Sequence, residues 1–197
     1  VENCELKHNT HYFRCTTATA GALALVSGAK ARNCLVVGNT NAVAGGVYLS
    51  GSSRLENSTV AGNTGAWDGT ITGDFSESDK LIGGGVFARD ASSAVVNCII
   101  IGNATGNATL DPTLLNASGA GAYQTNAIPE DVGTACITAD LCFVDAAADN
   151  YRLSVESPCR NKAALLDWMY GATDLDSNAR ILMGCADLGC YECTIAP

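Results

Sequence analysis

Residues 33–40 read "NCLVVGNT", residues 57–64 read "NSTVAGNT" and residues 97–104 read "NCIIIGNA". The N-terminal "NCELKHNT" at residues 3–10 is a fourth copy, so Asn3, Asn33, Asn57 and Asn97 are each followed six residues later by Asn9, Asn39, Asn63 and Asn103. A glycine or small-residue start precedes three of these copies at Gly21, Gly45 and Gly84. Asn33 and Asn57 are 24 residues apart and Asn57 and Asn97 are 40 apart, the excess lying in an insertion at residues 65–83. A fixed period interrupted at one place marks a stacked repeat.

Within the repeat the apolar residues alternate, which is the period of a strand. Leu23/Leu25, Val47/Leu49 and Val86/Ala88 share one parity, and so do Cys4/Leu6, Cys34/Val36, Ser58/Val60 and Cys98/Ile100. The opposite face of this last run varies from Glu5/Lys7 to Leu35/Val37, so the constant parity is read as the inside. The second run places Ala31, Leu55 and Val95 inward, two residues before each asparagine. The chain must therefore bend at the asparagine to bring the following Cys or Ser inward. Asparagine takes the left-handed conformation more readily than other non-glycine residues, and its amide can bond the same amide one coil away. Asn3, Asn33, Asn57 and Asn97, with Asn39, Asn63 and Asn103, are accordingly expected as asparagine ladders. Three short strands per unit, stacked at roughly 4.8 Å, predict an all-β, right-handed, single-stranded parallel β-helix of four to five coils. A leucine-rich solenoid would need helical or 3₁₀ segments in each repeat that this chain does not encode. The organisation expected is coils over residues 1–142 and an irregular, disulfide-stapled closing segment over residues 143–197, packed on the helix end.

The chain has 197 residues, a net charge of −9, 47% hydrophobic and 16% charged residues, and ten cysteines. No Lys/Arg cluster is available for phosphates, which argues against nucleic acid as a partner, and no apolar run reaches the length of a membrane span. Ten cysteines fit an oxidising compartment, so an extracellular or cell-surface location is expected. A start at Val1 fits either removal of a signal peptide or a fragment. Cys136 with Cys142, and Cys159 with one of Cys185, Cys190 or Cys193, are the disulfide candidates because they fall in irregular segments. Cys4 and Cys34 could pair across adjacent coils or remain as buried thiols. A zinc site from Cys185, Cys190 and Cys193 has neither the usual Cys-x-x-Cys spacing nor a fourth ligand.

Near the C-terminus, "FVDAAADNYRL", "SPCRN", "DLDSNAR" and "ADLGCYE" occur in order. These segments resemble the C-terminal module of secreted bacterial β-helix surface proteins of the choice-of-anchor Q type, and "GGVYLSGSSRLENSTVAGNT" resembles their repeats. Ser177 and Cys190 replace the glycine and alanine usual there, and Ala163 and Ala164 fall near a further glycine. The resemblance implies an extracellular protein of undefined biochemical activity. It also implies that Asp174, Asp176, Arg180, Asp187 and Glu192 belong to a structural closure.

Catalysis finds little to rest on. The repeat carries isolated Glu5, Glu56, Asp90, Arg32, Arg54 and Arg89, whereas a polysaccharide lyase or glycoside hydrolase needs clustered carboxylates with a basic partner. His8 and His11 have no nucleophile arranged beside them. Asp68, Asp74, Glu77 and Asp79 crowd the insertion, but their spacing matches no calcium loop, so they are weak metal candidates beside an exposed acidic loop. No cofactor is expected. Of four glycosylation sequons, at Asn57, Asn103, Asn107 and Asn116, the first two sit at ladder positions, which leaves Asn107 and Asn116 as glycan carriers. Outward Tyr48 and Phe87, with Trp67, are candidates for binding extracellular glycans. The first function expected is a non-catalytic structural module that joins copies of itself head to tail, because the first coil begins with no capping element. A glycan-binding adhesive module is the alternative.

Overall fold

The computed structural model describes residues 1–11, 22–41, 45–65, 84–106, 115–130 and 132–195; of His11 the backbone alone is described. The first repeat supplies β1 (Glu5–Lys7) and β2 (Thr10–His11). The second supplies β3 (Leu23–Leu25), β4 (Lys30–Arg32), β5 (Leu35–Val37) and β6 (Thr40–Asn41). The third supplies β7 (Val47–Leu49), β8 (Arg54–Glu56), β9 (Thr59–Ala61) and β10 (Thr64–Gly65). The fourth supplies β11 (Val86–Ala88), β12 (Ala94–Val96), β13 (Ile99–Ile101) and β14 (Ala104–Thr105), followed by β15 (Ala117–Gly119) and β16 (Ala122–Gln124).

Corresponding strands of successive repeats pair in parallel, giving four-stranded sheets ordered β1-β5-β9-β13, β2-β6-β10-β14, β3-β7-β11-β15 and β4-β8-β12-β16. Register follows the repeat without slip: Val36 lies between Leu6 and Val60, and Leu55 between Ala31 and Val95. The chain is thus an all-β protein of parallel-stranded sheets with a repeat-like arrangement that fits a parallel β-helix. A short strand follows each Asn9-type asparagine, so a full repeat carries four strands rather than the three read from the sequence. Backbone bonds such as Thr40 N to Asn9 O and Thr64 N to Asn39 O continue the pairing past that turn.

The interior is one cluster containing Cys34, Val36, Leu49, Leu55, Val60, Val86, Val95, Cys98 and Ile100, with Cys4 and Leu6 packed against it. These are the side chains of the constant parity. The paired glycines before β7 and β11 are demanded by close approach of the backbone. A Cβ on Gly45 would lie 2.5 Å from the Thr64 backbone nitrogen, and one on Gly85 would strike the Asn116 carbonyl oxygen. Gly119 ends β15, and Ala120 and Gly121 make the turn to β16. Gly119 has φ +94°, and a Cβ there would run into Ala88 O.

The closing segment departs from expectation. It holds an antiparallel pair, β17 (Phe143–Asp145) with β18 (Asn150–Leu153), and two single 3₁₀ turns at Ala146–Ala148 and Asp167–Met169. It lies along the flank of the β1-β5-β9-β13 sheet rather than on the helix end. Leu35, Val37 and Ala61 pack against Tyr151, Cys190 and Tyr191, and Ile99 and Ala127 against Leu141, Leu153, Cys159 and Leu188. The cause is the outward face of that sheet. The charged residues there are Glu5 and Lys7 of the first repeat, which pair with each other at 2.8 Å. The later repeats carry a stripe that is apolar except for Thr59, whose Oγ1 accepts from Cys190 N, and burial of its apolar part is worth roughly 25 cal/mol per Å².

No disulfide joins the described cysteines, so the expected staple is absent among them. Cys159 and Cys190 are buried in the flank clusters, Cys136 Sγ donates to Ile128 O, Cys142 Sγ lies 3.6 Å from Asp140 O, Cys193 is half-buried and Cys185 is exposed. Hydrophobic burial and carboxylate-to-amide bonds hold the segment instead.

Candidate functional site

The recurrent phrase builds two different asparagine columns. In the first, Asn3, Asn33, Asn57 and Asn97 have φ between 44° and 58°, the left-handed bend that turns the chain from one sheet to the next. The residue that follows closes the bend: Cys4 Sγ donates to Glu2 O, Cys34 Sγ to Arg32 O, Ser58 Oγ to Glu56 O and Cys98 Sγ to Val96 O, at 3.0–3.3 Å. A small side chain with one donor is what this inward slot accepts, which explains the alternation of cysteine and serine. Desolvation by burial pushes the Cys98 thiol up to about 12. The column runs further than the phrase, because Thr125 and Ala135 also have φ 53°, and Asn126 takes the slot beside Cys98.

This first column makes little ladder. Only Asn97 Nδ2 reaches Asn57 Oδ1, at 3.2 Å. The side chains project to the flank and hold the closing segment: Asn33 Nδ2 donates to Thr173 O, Asn57 Nδ2 to Asp187 O, and Asn97 Nδ2 to Ala164 O, while Asn97 Oδ1 accepts from Ala164 N. Left-handed residues at an outer corner aim their amides away from the coil axis, so the ladder expected at these positions is replaced by clasps.

The second column is a continuous ladder. Asn9 Nδ2 donates to Asn39 Oδ1, Asn39 to Asn63, Asn63 to Asn103, and Asn103 to Asn116, each at 2.9 Å. Each acceptor oxygen also receives the backbone N–H of the preceding rung. The second amide hydrogen of Asn39, Asn63 and Asn103 goes to Leu6 O, Val36 O and Val60 O. All four bonding sites of each internal amide are thus filled, as burial requires. Asn116 ends the ladder by donating to Glu130 Oε1 at 2.6 Å. Asn116 is therefore no glycan carrier: it is buried and its amide is spent. Asn107 lies outside the described residues.

The acidic and basic residues of the closing segment form a buried clasp. Asp174 Oδ1 accepts from Asp176 N and Asn178 N, and Oδ2 from Glu192 N. Asp187 accepts from Asn161 N and Cys193 N. Arg180 is fully buried and donates through Nη2 to Asp187 O and Gly189 O. Glu192 Oε1 stands 3.1 Å from Arg180 Nε, but the N–H misses it, so Nε and Nη1 have no hydrogen-bond acceptor. Burial pushes the Glu192 carboxyl up to about 8 against the opposing pull of Arg180, and burial lowers Arg180 in turn. Asp176 is apart from this group and pairs with Arg152, whose guanidinium also covers Tyr191 at 4.6 Å.

Two sequence readings of the surface are corrected. Tyr48 and Phe87 neighbour each other in register with ring centroids 5.9 Å apart, but they are only 6% and 3% exposed, so they offer no platform for a sugar. Trp67, Asp68, Asp74, Glu77 and Asp79 lie outside the described residues. The charges taken as isolated are partly a network. Glu56, buried, accepts from Arg32 Nε at 3.0 Å and Arg54 Nε at 2.6 Å, and Arg32 Nη1 reaches Glu2. The signal was present in Lys30-x-Arg32 and Arg54-x-Glu56, which stack with the same outward parity. His8 pairs with Asp149 at 2.6 Å, tying the first repeat to the closing segment. Among the described residues no group of three His, Cys, Asp or Glu side chains could hold a metal ion, and no helix is long and apolar enough to cross a membrane.

These features define a parallel-stranded all-β repeat protein whose polar motifs are spent on its own backbone. Comparison with protein-family models, curated proteins and solved structures gives no match.

Proposed function

We propose that this chain is a non-catalytic extracellular structural module, a right-handed parallel β-helix of four to five coils that serves as a rigid cell-surface or filament segment and joins copies head to tail. One observation carries the reading: the asparagine ladder is polar and open. Every rung donates toward Glu130, so the first rung, Asn9, is exposed at the other end with no amide stacked on it among the described residues. Strands β1, β2 and β3 are each the outermost of their sheets, whereas Val1–Asn3 pair along the edge of β4 through Glu2 and Arg32; outermost strands carry unpaired N–H and C=O groups that template further pairing. At the opposite end the last layer is the bridged segment Gln124–Thr134 and Ala127–Ile137. A contact between unlike ends repeats without closing, which gives a filament. The secreted location and the kinship with choice-of-anchor Q proteins rest on the cysteine content and on the C-terminal motifs. Sedimentation velocity over a wide concentration range, with negative-stain images, tests the assembly. End-to-end oligomers lost on Leu6→Lys support it, and a monomer at every concentration refutes it.

A further inference from the structure

Cysteine fills the inward slot after the bend in two consecutive repeats only at the start of the chain, where Cys4 and Cys34 are followed by Ser58 and then Cys98. Backbone bonds on both sides of the pair, Asn3 N to Arg32 O at 3.1 Å and Leu35 N to Cys4 O at 2.9 Å, hold Cys4 directly against Cys34. Glu2 and Arg32 are themselves bridge partners, and Cys4 Sγ donates to Glu2 O at 3.2 Å while Cys34 Sγ donates to Arg32 O at 3.1 Å. The two sulfurs therefore hang over neighbouring carbonyls on the same side of the corner, one layer apart. Adjacent strands lie about 4.8 Å apart, inside the Cα range of a disulfide. Cys34 and Cys98, with Ser58 between them, are two layers or roughly 9–10 Å apart, beyond that range.

Position in the stack decides what the pair can do. In-register Cβ atoms on parallel strands are about as far apart as the Cα atoms, slightly more than the usual disulfide spacing of about 3.5–4.5 Å. Closure must therefore draw one layer toward the other. Strand β1 pairs with β5 alone, whereas β5 and β9 are held from both sides, so the first layer is the one that can move. It is also the one an oxidant reaches, because Cys4 is part-exposed and Cys34 is fully buried.

We infer that Cys4 and Cys34 are a reversible redox staple, which locks the outermost repeat onto the second when the chain meets a disulfide oxidant. The Cys4 thiolate attacks one sulfur of a small-molecule or protein disulfide and releases one thiol; the Cys34 thiolate then attacks the Cys4 sulfur and releases the second. Two protein thiols give up two protons and two electrons, one S–S bond forms, and the oxidant leaves as two thiols. Burial raises the Cys34 thiol, which makes Cys34 the slower, resolving group. A bond closed against strain is the readily reduced kind, so the staple opens again under reducing conditions. The inference rests on the register of the first two repeats and not on head-to-tail assembly.

Incubation of the whole reduced chain with glutathione disulfide, followed by acid quench, alkylation and non-reducing peptide mapping by mass spectrometry, tests it. A glutathione adduct on Cys4 forms first and decays into a Cys4–Cys34 cross-link, which dithiothreitol reverses. Closing the loop from Cys4 to Cys34 raises the urea midpoint by roughly 0.5–1.5 M. Cys4→Ser and Cys34→Ser keep the fold, because the slot already takes Ser58 in the third repeat, and each abolishes both the cross-link and the shift. Three results overturn the inference: Cys34 left as a thiol while exposed Cys185 is glutathionylated, a cross-link from Cys34 to another cysteine, or a midpoint unchanged by the cross-link. Cys15, which lies outside the described residues, counts among those other cysteines.

Discussion

Asn63→Ala is the substitution that weighs the ladder most heavily. Asn63 is fully buried and its side chain makes four hydrogen bonds, accepting from Asn39 N and Asn39 Nδ2 and donating to Val36 O and Asn103 Oδ1. Alanine removes all four. Asn103 Oδ1 keeps the backbone N–H of residue 63 and Val36 O stays in the ladder between β5 and β9, so two groups are orphaned: the Asn39 N–H and one Asn39 amide hydrogen. A buried unsatisfied group costs about 1–3 kcal/mol, which sums to roughly 2–6 kcal/mol. Against a total stability of about 5–15 kcal/mol, this is a large fraction. Urea unfolding followed by far-UV circular dichroism reads it as a midpoint lowered by roughly 1–3 M for a slope near 2 kcal/mol/M. Asn9→Ala is the control, because Asn9 is exposed and its loss orphans little that water cannot reach; it costs about 1 kcal/mol or less. A loss at Asn63 no larger than at Asn9 would refute the reasoning.

Other outcomes follow from the clasp, the slot and the thiols. Arg180→Ala leaves the buried Asp187 and Gly189 carbonyl oxygens without their donor and opens a void where a fully buried side chain stood, and costs about 3–5 kcal/mol by the same urea assay. Glu192 binds a proton in the folded chain up to about pH 8, whereas an ordinary glutamate of 4.5 has released it. Its contribution to stability is therefore full below 4.5 and is lost as pH rises through about 8, so the urea midpoint falls across that window and Glu192→Gln flattens the fall. Ser58→Cys fits the slot and changes stability by less than about 1 kcal/mol, while Ser58→Ala loses the bonds to Glu56 O and from Cys34 N and costs about 1–3 kcal/mol, both read by urea unfolding. Iodoacetamide followed by peptide mass spectrometry finds Cys185, which is exposed, alkylated first; Cys98, Cys159 and Cys190, each pushed up to about 12 mainly by burial, react only on unfolding.

Much of the scaffold was legible because it repeats. The parity of Cys34/Val36 against Leu35/Val37 separates inside from outside, and the need to bend at Asn33 follows from two parities that disagree across it. What remained hidden depends on neighbours distant in sequence. Leu35, Val37, Ile99 and Ile101 point outward and are apolar, a sign that something covers them, yet nothing local shows that residues 141–193 run along that flank. For the same reason the two asparagine columns look alike in sequence and differ in structure. Asn33 sits at an outer corner and bonds the Thr173 carbonyl, whereas Asn39 stacks between Asn9 and Asn63. Thr125 and Ala135 took the bend without an asparagine, so the phrase gave no notice of them. Arg54 and Glu56 were read one by one along the chain, and only stacking on Lys30 and Arg32 makes them a face.

The stacking of one repeat on the next through Asn39, Asn63 and Asn103 is the central claim, and amide hydrogen exchange read by NMR tests it most directly. The backbone N–H groups of these three asparagines, each bonded to the side-chain oxygen of the next rung, exchange only with global unfolding and share one opening free energy. Exchange at the rate of an exposed loop amide such as Gly184 would contradict the ladder and with it the stacked repeat.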